Sequence, residues 1–186
     1  MICPKYPQFR CFDKHCDNCD LTTVVDKQGQ VKLLPAPKYA IMPRDEFRLC
    51  IQLWIRYFAP DVQSHEILFI LQKRAPNLGY FPNLWAPVTG GVKYGETSPH
   101  AACREAYEEL GLHVSNLRKI ETLFHNAFAE DIYYADVHAP LLITLQKEEV
   151  SNFALVSKSG LRKLFNNSQL IPTSYCTTSF EKLFKC

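Results

Sequence analysis

The sequence contains no apolar run long enough to cross a membrane, since its longest such run, at residues 67–71, has the length of a β-strand. Its charge excess is also small, because 21 Lys and Arg against 19 Asp and Glu leave a formal charge of +2. Such a charge does not predict binding to a nucleic-acid polymer or to an anionic membrane. The first residues lack the long apolar stretch of a secretory signal. We therefore expect a cytoplasmic protein whose partners include no nucleic-acid polymer and no membrane.

The chain also lacks internal repeats and low-complexity tracts, and its 47% of apolar and 22% of charged residues are typical of a globular protein rather than a disordered one. A length of 186 residues allows one domain with a short appended segment. Strand-like runs alternate with a few helical ones, which predicts a single α/β domain. The predicted strands are 22–25, 30–34, 47–58, 65–72, 119–127, 132–137, 141–145 and 153–156, and the predicted helices are 99–110, 159–166 and 178–184.

Cysteine, by contrast, is abundant, with eight residues: Cys3, Cys11, Cys16, Cys19, Cys50, Cys103, Cys176 and Cys186. Without a secretory signal, reduced thiols are expected rather than disulfides. The pair Cys16-x-x-Cys19, with Cys11 and His15 nearby, indicates either a structural zinc ion held by Cys11, Cys16 and Cys19 or thiols that only pack. A clean zinc site normally has two such pairs, and the chain has one. We assign residues 1–19 to a cysteine-rich N-terminal extension and residues 20–186 to the main domain.

The clearest helix is predicted at residues 99–110, with Ser98 as N-cap, Pro99 in the first helical position and Gly111 as C-cap. This helix follows the glycine-rich turn at residues 89–95.

Three glutamates, Glu105, Glu108 and Glu109, have spacings of three and four residues and therefore share one face of that helix. Like charges at these spacings destabilise a helix, and the neighbouring cation, Arg104, carries a single charge. A hard divalent cation with oxygen ligands would supply the missing charge. The alternative is a solvated helix face, which is the usual explanation of glutamate-rich helices.

The residues around these glutamates favour a bound divalent cation over a solvated helix face. The arrangement G-x5-E-x7-R-E-U-x-E-E-x-G-U, in which U is apolar, resembles the signature box of the Nudix hydrolases. Its positions are filled by Gly90, Glu96, Arg104, Glu105, Ala106, Glu108, Glu109, Gly111 and Leu112. At background frequencies of roughly 5–7% per residue type, such a match arises by chance about once in ten million starting positions. Ala106 is smaller than the usual aliphatic residue, which affects local packing and not the chemistry.

The resemblance covers most of residues 20–165. Arg74, which follows a strand, and the segment 82–85 look like the usual approach to the box. The pair Glu148-Glu149 looks like the late Glu-Glu of many members. Residues 20–26 and 47–55 are similar to Nudix proteins related to isopentenyl diphosphate isomerase, and LWAPVTGGVKYGET resembles dihydroneopterin triphosphate pyrophosphohydrolases.

The resemblance implies a Nudix fold, an α/β/α sandwich with a mixed sheet. It implies that Glu105, Glu108 and Glu109 bind Mg2+ or Mn2+ together with the backbone carbonyl of Thr89. Arg104 is then expected to orient the glutamates by hydrogen bonding, with Glu96 in the same network. The general base remains open among Glu105, Glu148 and Glu149.

The substrate side of the site is less well defined. Arg74, Gly90 and Gly91 are the candidates for contact with substrate phosphates, since a guanidinium suits bidentate phosphate binding. Tyr80, Phe81 and Trp85 are candidates either for stacking on a base or for ordinary packing.

The implied function is metal-dependent hydrolysis of a diphosphate linkage in a nucleoside diphosphate-X or a related phosphorylated metabolite. One alternative is an isopentenyl diphosphate isomerase, but that chemistry in the family needs a cysteine in a Cys-His-Pro-like context, which the chain lacks. Another is a non-catalytic nucleotide-sensing module, although such modules tend to lose box glutamates. A homodimer is a further expectation from the resemblance.

Overall fold

The computed structural model describes residues 9–10, 20–60 and 67–172. The elements, in chain order, are β1 (Leu21–Thr22), β2 (Val24–Asp26), β3 (Ala36–Pro37), β4 (Glu46–Phe58), β5 (Leu68–Arg74), β6 (Trp85–Ala86), β7 (Val88–Gly91), α1 (Ser98–Leu110), β8 (Arg118–His125), β9 (Phe128–His138), β10 (Val150–Ser157) and α2 (Lys158–Asn166). The zinc candidates Cys11, Cys16 and Cys19 and the predicted helix at 178–184 lie outside the described residues.

The long strand β4 organises an eight-stranded sheet. The strand order along its main path is β10-β5-β4-β9-β8, while β2 and β7 pair with β4 and β6 pairs with β5. The β4–β9 pairing is parallel and the others are antiparallel, which confirms the expected mixed sheet. Strands β1 and β3 form a separate two-stranded sheet.

The two faces of β4 pack against different helices because successive side chains of a strand point in opposite directions. Leu53 and Ile55 join the cluster that includes Ala102 and Ala106 of α1. Trp54 joins the opposite cluster, which includes Leu161 of α2. The small Ala106 is fully buried and lets α1 approach the sheet closely. Helices on both faces confirm the α/β/α sandwich.

The start of α1 differs by one residue from the prediction, because Thr97 rather than Ser98 occupies the N-cap position. The hydroxyl of Ser98 donates to Asp131 Oδ2 at 2.6 Å and lies 2.9 Å from the hydroxyl of Tyr133. Ser98 is buried against β9, so its hydroxyl binds that strand instead of capping its own helix. At the other end, Gly111 has φ of 68° and ends the helix as predicted.

The strand predicted at residues 141–145 is wrong. Residues 141–146, which we call the strap, cross the C-terminal end of α1 without pairing in a sheet. The backbone N–H of Thr144 donates to the Leu110 carbonyl at 2.9 Å, and that of Gln146 donates to the Glu109 carbonyl at 3.2 Å. The alternating apolar residues Leu141, Ile143 and Leu145, which had indicated a strand, pack against the core instead. The strap therefore satisfies helix carbonyls that have no partner inside α1.

The strand predicted at residues 30–34, which a turn at residues 26–29 separates from β2, is also not formed. Only Val31 makes a bridge, to Val25, and Leu33 is 90% exposed. The turn itself is formed, since the N–H of Gly29 donates to the Asp26 carbonyl at 2.9 Å. No helix in the described part of the chain has both the length and the apolar character needed to span a bilayer.

Candidate functional site

Arg104 is the centre of a hydrogen-bonded carboxylate cluster on α1. Its guanidinium binds Glu96 in a bidentate manner, with Nε to Oε1 at 2.9 Å and Nη2 to Oε2 at 3.0 Å. Nη1 donates to Glu105 Oε1 at 2.7 Å and to Glu108 Oε2 at 2.9 Å. Nη2 also donates to the Gly91 carbonyl at 3.0 Å. All five N–H donors of the guanidinium are thus engaged.

The charges in this cluster shift one another's pKa values. Burial lowers the pKa of Arg104, but the hydrogen bond to Glu96 and the charge of Glu105 raise it more, so the net pKa is above the ordinary value. Burial raises the pKa of Glu96, yet hydrogen bonds from Arg104 and from the Lys93 backbone at 3.1 Å bring it below its ordinary value. Glu96 is therefore an ionised anchor that holds the loop before α1 to Arg104.

Glu105 is packed against the backbone of β7, and its side chain is only 13% exposed. A methyl group on Gly90 would overlap the Glu105 carboxylate, whereas one on Gly91 would meet only Thr22 Cγ2 at 3.9 Å. Burial raises the pKa of Glu105; Arg104 lowers it, and the charges of Glu108 and Glu149 raise it again, with a net increase. Gly90 is thus needed for a close approach of the carboxylate to the strand.

Glu109 is 2% exposed and faces a buried glutamine. Gln72 Nε2 donates to Glu109 Oε2 at 2.8 Å and lies 3.4 Å from the Pro87 carbonyl. Burial, followed by the charge of Glu105, raises the pKa of Glu109 most. The hydrogen bond from Gln72 lowers it, the charge of Glu149 raises it and that of Arg74 lowers it, and the net pKa is well above the ordinary value. Gln72 was not among the residues predicted from the sequence. The signal was a polar residue in an apolar strand, on the face that points to the core.

The third box glutamate, Glu108, is 42% exposed at its side chain and also lies 3.9 Å from Lys93 Nζ. Glu105 and Glu108 thus face Arg104, while Glu109 faces Gln72. Within the ranges that the structure describes, no three carboxylate, imidazole or thiol side chains converge closely enough to form a ready-made metal cage.

The predicted residues outside the box occupy different positions relative to this cluster. Glu149 raises the pKa of both Glu105 and Glu109, and its backbone carbonyl accepts the N–H of Ala75 at 2.8 Å. Glu148 is exposed on the same turn. The charge of Arg74 lowers the pKa of Glu109, and its Nε donates to the Tyr80 carbonyl at 3.0 Å. Thr89 lies in β7 opposite Gln52 of β4.

A cleft of about 350 Å3 opens beside the cluster, a volume typical of small-ligand sites. It is lined by Asp20, Leu21, Thr22, Lys38, Tyr39, Arg48, Cys50, Tyr80, Gly91, Lys93, Glu105, Ala127 and Phe128. Of the three aromatic candidates from the sequence, Tyr80 lines the cleft, while Phe81 and Trp85 do not, and Trp85 packs on a core cluster. Lys38 and Tyr39 had not been expected at the site.

One cysteine, Cys50 of β4, lines the cleft. Burial, together with the negative charges of Glu130 and Glu105, raises the pKa of its thiol to about 12. The thiol is therefore protonated at neutral pH. Cys50 and Cys103 are both free of disulfides.

The raised pKa of Glu109 gives a prediction for stability in the absence of divalent ions. The pKa of Glu109 is higher in the folded chain than in the unfolded chain. At a pH between these two pKa values the folded chain therefore binds more protons, and the free energy of unfolding falls as the pH rises through this interval. Glu109→Gln keeps an acceptor for Gln72 and removes this loss. At pH 8 with EDTA, we expect the melting temperature of the variant to be about 2–4 °C higher than that of the unsubstituted protein. This difference in melting temperature should decrease as the pH is lowered towards 5.

Thermal melts followed by circular dichroism measure this difference, and Glu108→Gln is the matched control. Glu108 is partly exposed and ion-paired with Arg104, so its replacement should bring no gain in melting temperature. A Glu109→Gln variant that melts at or below the unsubstituted protein at pH 8 would contradict the account.

Sequence comparison identifies the family. The model of the NUDIX domain matches residues 52–169, which is more than half of the chain. An uncharacterized Nudix hydrolase of Listeria innocua is 34% identical over 116 residues, which cover 60% of this chain and 69% of the relative.

Solved structures agree on the fold. The protein DR0079 from Deinococcus radiodurans superposes with a TM-score of 0.63 at 17% identity, covering 86% of this chain and 96% of that one. RenU, a Nudix hydrolase from M. smegmatis, superposes with a TM-score of 0.56 at 19% identity, covering 88% and 92%. Since the family model covers both helices and the strands from β5 to β10, this chain belongs to the Nudix hydrolase family.

Proposed function

We propose that the enzyme uses Mg2+ or Mn2+ to hydrolyse a diphosphate linkage in a nucleoside diphosphate-X or a related phosphorylated metabolite. The observation that carries this proposal is a pair of carboxylates, the buried Glu109 and the largely buried Glu105, beside a cleft of substrate size. Burial raises the pKa of both, and their neighbour Glu149 raises it further. Buried carboxylates with too little positive charge around them are typical of a site that a cation completes.

The donor set fits the proposed ion. Glu105, Glu108 and Glu109 would hold it, with the backbone carbonyl of Thr89 as a further oxygen ligand. Carboxylate and carbonyl oxygens suit Mg2+ and Mn2+ better than softer metals. When bound, the cation would neutralise the diphosphate and activate a water molecule.

The chain's own residues orient these ligands. Arg104 holds Glu105 and Glu108 through Nη1, and Gln72 holds Glu109. Arg74 stays our candidate for contact with a phosphate: its Nε is committed to the Tyr80 carbonyl, and its other guanidinium nitrogens suit phosphate oxygens.

The adjacent glycines Gly90 and Gly91 would take separate parts in substrate binding. Gly91 lines the cleft and can lie against the substrate directly. Gly90 acts through Glu105, whose carboxylate needs the space that the missing side chain leaves.

Replacing each box glutamate tests the proposed cation site. We expect Glu108→Gln and Glu109→Gln to lower Mg2+- or Mn2+-dependent turnover at least about a hundredfold, since each removes a charged oxygen ligand. Chromatographic separation of the phosphorylated products formed from a panel of nucleoside triphosphates, sugar nucleotides, dinucleoside polyphosphates and coenzyme A measures this turnover. Glu46→Gln, which affects only a surface ion pair with Lys32, is the control. Unchanged metal-dependent turnover in the box variants would refute the proposed function.

The adjacent glycines of β7 provide a test of how accurately Glu105 must be placed. Gly90→Ala forces the Glu105 carboxylate to move, and a displacement of about 1 Å can cost about a hundredfold in rate. We expect a loss of that order in kcat, with a far smaller loss for Gly91→Ala, in which the added methyl group meets only ordinary contact. Equal losses in the two variants, measured on the same substrate, would argue against this role of Gly90.

For the general base we propose Glu149. Its charge acts on both Glu105 and Glu109, and the hydrogen bond from the Ala75 N–H to its carbonyl fixes its backbone. Glu105 already accepts a hydrogen bond from Arg104, which makes it the weaker candidate. Glu149 would take the proton of the attacking water as the phosphorus–oxygen bond forms.

The neighbouring glutamate provides a matched comparison for this role. Glu149→Gln should lower kcat about a hundredfold or more, with a smaller change in KM, because general-base catalysis contributes about 10^2 to 10^4 in rate. Glu148→Gln should stay within about threefold of the unsubstituted enzyme. The pH dependence of kcat is measured for both variants. A larger loss of kcat in Glu148→Gln than in Glu149→Gln would identify Glu148 as the general base instead.

One observation favours a second candidate, the isomerisation of isopentenyl diphosphate. Cys50 lines the cleft and shares it with Glu105. Its protonated thiol could serve only as a proton donor at neutral pH, and the sequence context of Cys50 lacks the Cys-His-Pro-like pattern. Incubation with isopentenyl diphosphate and product analysis separates the two reactions. The cytoplasmic location, the small-metabolite partner and the homodimer stay predictions.

A further inference from the structure

The turn that precedes α1 is held from outside by a threonine of the N-terminal segment. Residues 93–96 form a β-turn, which is closed by the Glu96 N–H to the Lys93 carbonyl at 3.0 Å and has Gly95 at φ of 85°. A positive φ at this position of a turn favours glycine. The hydroxyl of Thr23 donates to the same Lys93 carbonyl, also at 3.0 Å. Both lone pairs of that oxygen are therefore engaged, one within the turn and one by Thr23.

Backbone hydrogen bonds on either side bring Thr23 to this place. The Thr23 N–H donates to the Val92 carbonyl at 2.8 Å, and the Tyr94 N–H donates to the Leu21 carbonyl at 2.9 Å. Thr23 is 4% exposed and is not among the residues that line the cleft, so its hydroxyl serves the turn and not the cavity. Since Thr23 also precedes the residues that the NUDIX domain model matches, the contact comes from a part of the chain outside the matched region.

The backbone of Lys93 connects Thr23 to the carboxylate cluster. Its N–H donates to Glu96 Oε2 at 3.1 Å, and the Glu96 carboxylate binds both Nε and Nη2 of Arg104. Through Nη1, Arg104 then holds two of the proposed cation ligands. Replacing a residue that orients the ligands of a metal typically costs about ten- to hundredfold in metal affinity or activity. A shift of this turn would therefore reach the site through Glu96 and Arg104.

We propose that Thr23 is a positioning residue of the reaction, which fixes the turn before α1 and thereby the orientation of Arg104 and of the carboxylates that it holds. This inference rests on the proposed function, because those carboxylates are the proposed cation ligands. Loss of the hydroxyl leaves the Lys93 carbonyl with its hydrogen bond from the Glu96 N–H, so no buried acceptor loses its last partner. The main effect is then expected in turnover rather than in stability.

Two substitutions of Thr23 separate its hydroxyl from its shape. Thr23→Val removes the hydroxyl and keeps the branched side chain, whereas Thr23→Ser keeps the hydroxyl. On the best substrate of the panel, with Mn2+, Thr23→Val should lower kcat about tenfold and change the KM for substrate less than about threefold. Thr23→Ser should keep kcat within about twofold of the unsubstituted enzyme.

The control variant loses a comparable hydroxyl far from the cluster. Ser157 caps α2, on the other face of the sheet, and its side chain accepts the N–H of Gly160 at 3.2 Å. Ser157→Ala should lower the melting temperature, because a helix cap is lost, and leave kcat unchanged. A fall in kcat that accompanied every loss of melting temperature, including that of Ser157→Ala, would assign the effect of Thr23 to stability alone and overturn the inference.

A double-mutant cycle with Glu96→Gln tests the path from Thr23 to the cluster. If Thr23 acts through Glu96, adding Thr23→Val to Glu96→Gln should lower kcat by less than about twofold further. The same tenfold loss in both backgrounds would mean that the two residues act independently, and it would contradict the proposed path.

Two further results would overturn the inference while leaving the proposed function intact. One is a kcat of Thr23→Val within about twofold of the unsubstituted enzyme, and the other is an equal loss of kcat in Thr23→Ser. If the unsubstituted chain shows no Mg2+- or Mn2+-dependent turnover, the proposed function fails, and titration with Mn2+ followed by electron paramagnetic resonance tests the positioning instead. Weaker binding of Mn2+ to Thr23→Val than to Thr23→Ser then supports it, and equal or absent binding refutes it.

Discussion

The hydrogen bonding of one guanidinium organises the site. Arg104 uses all five of its donors on Glu96, Glu105, Glu108 and the Gly91 carbonyl, and so joins the loop before α1, the helix itself and strand β7. Arg104 supplies one positive charge for these three carboxylates, and Lys93 lies 3.9 Å from Glu108 alone. The remaining negative charge, together with that of the buried Glu109, is what a divalent cation would balance.

The fold maintains this arrangement at a cost in stability. Glu105 and Glu109 have raised pKa values because burial removes water from their carboxylates, and a chain selected only for stability would not place them there. Two parts of the scaffold hold them in place. Gly90 leaves room for Glu105, and the strap fixes the end of α1 through the carbonyls of Glu109 and Leu110. The same strap leads into the turn that carries Glu149, so the helix end and the proposed base are positioned together.

Local sequence predicted the parts of the site that depend on local structure. The spacing of the glutamates along α1, the C-terminal end at Gly111 and the long strand β4 follow from helical or strand periodicity, and they were found. The strap was mistaken for a strand because its apolar alternation is that of a strand, while its hydrogen bonds go to α1 instead. Ser98 was mistaken for a cap because its partner, Asp131, is distant in sequence.

Residues whose partners are distant in sequence were the ones missed. Gln72 is recognisable only once β5 is known to face Glu109, and Tyr39 only once the β1–β3 sheet is known to border the cleft. The box identifies the reaction type because its residues are close together in the chain. Substrate selection depends on loops and strand faces that come together only in the fold.

Anomalous diffraction from crystals grown with Mn2+ and a non-hydrolysable diphosphate analogue tests the central claim most directly. The account predicts a manganese peak bonded to carboxylate oxygens of Glu105, Glu108 and Glu109, with the phosphates of the analogue completing its coordination. Manganese bound elsewhere, or the analogue bound with these three carboxylates still held only by Arg104 and Gln72, would contradict it.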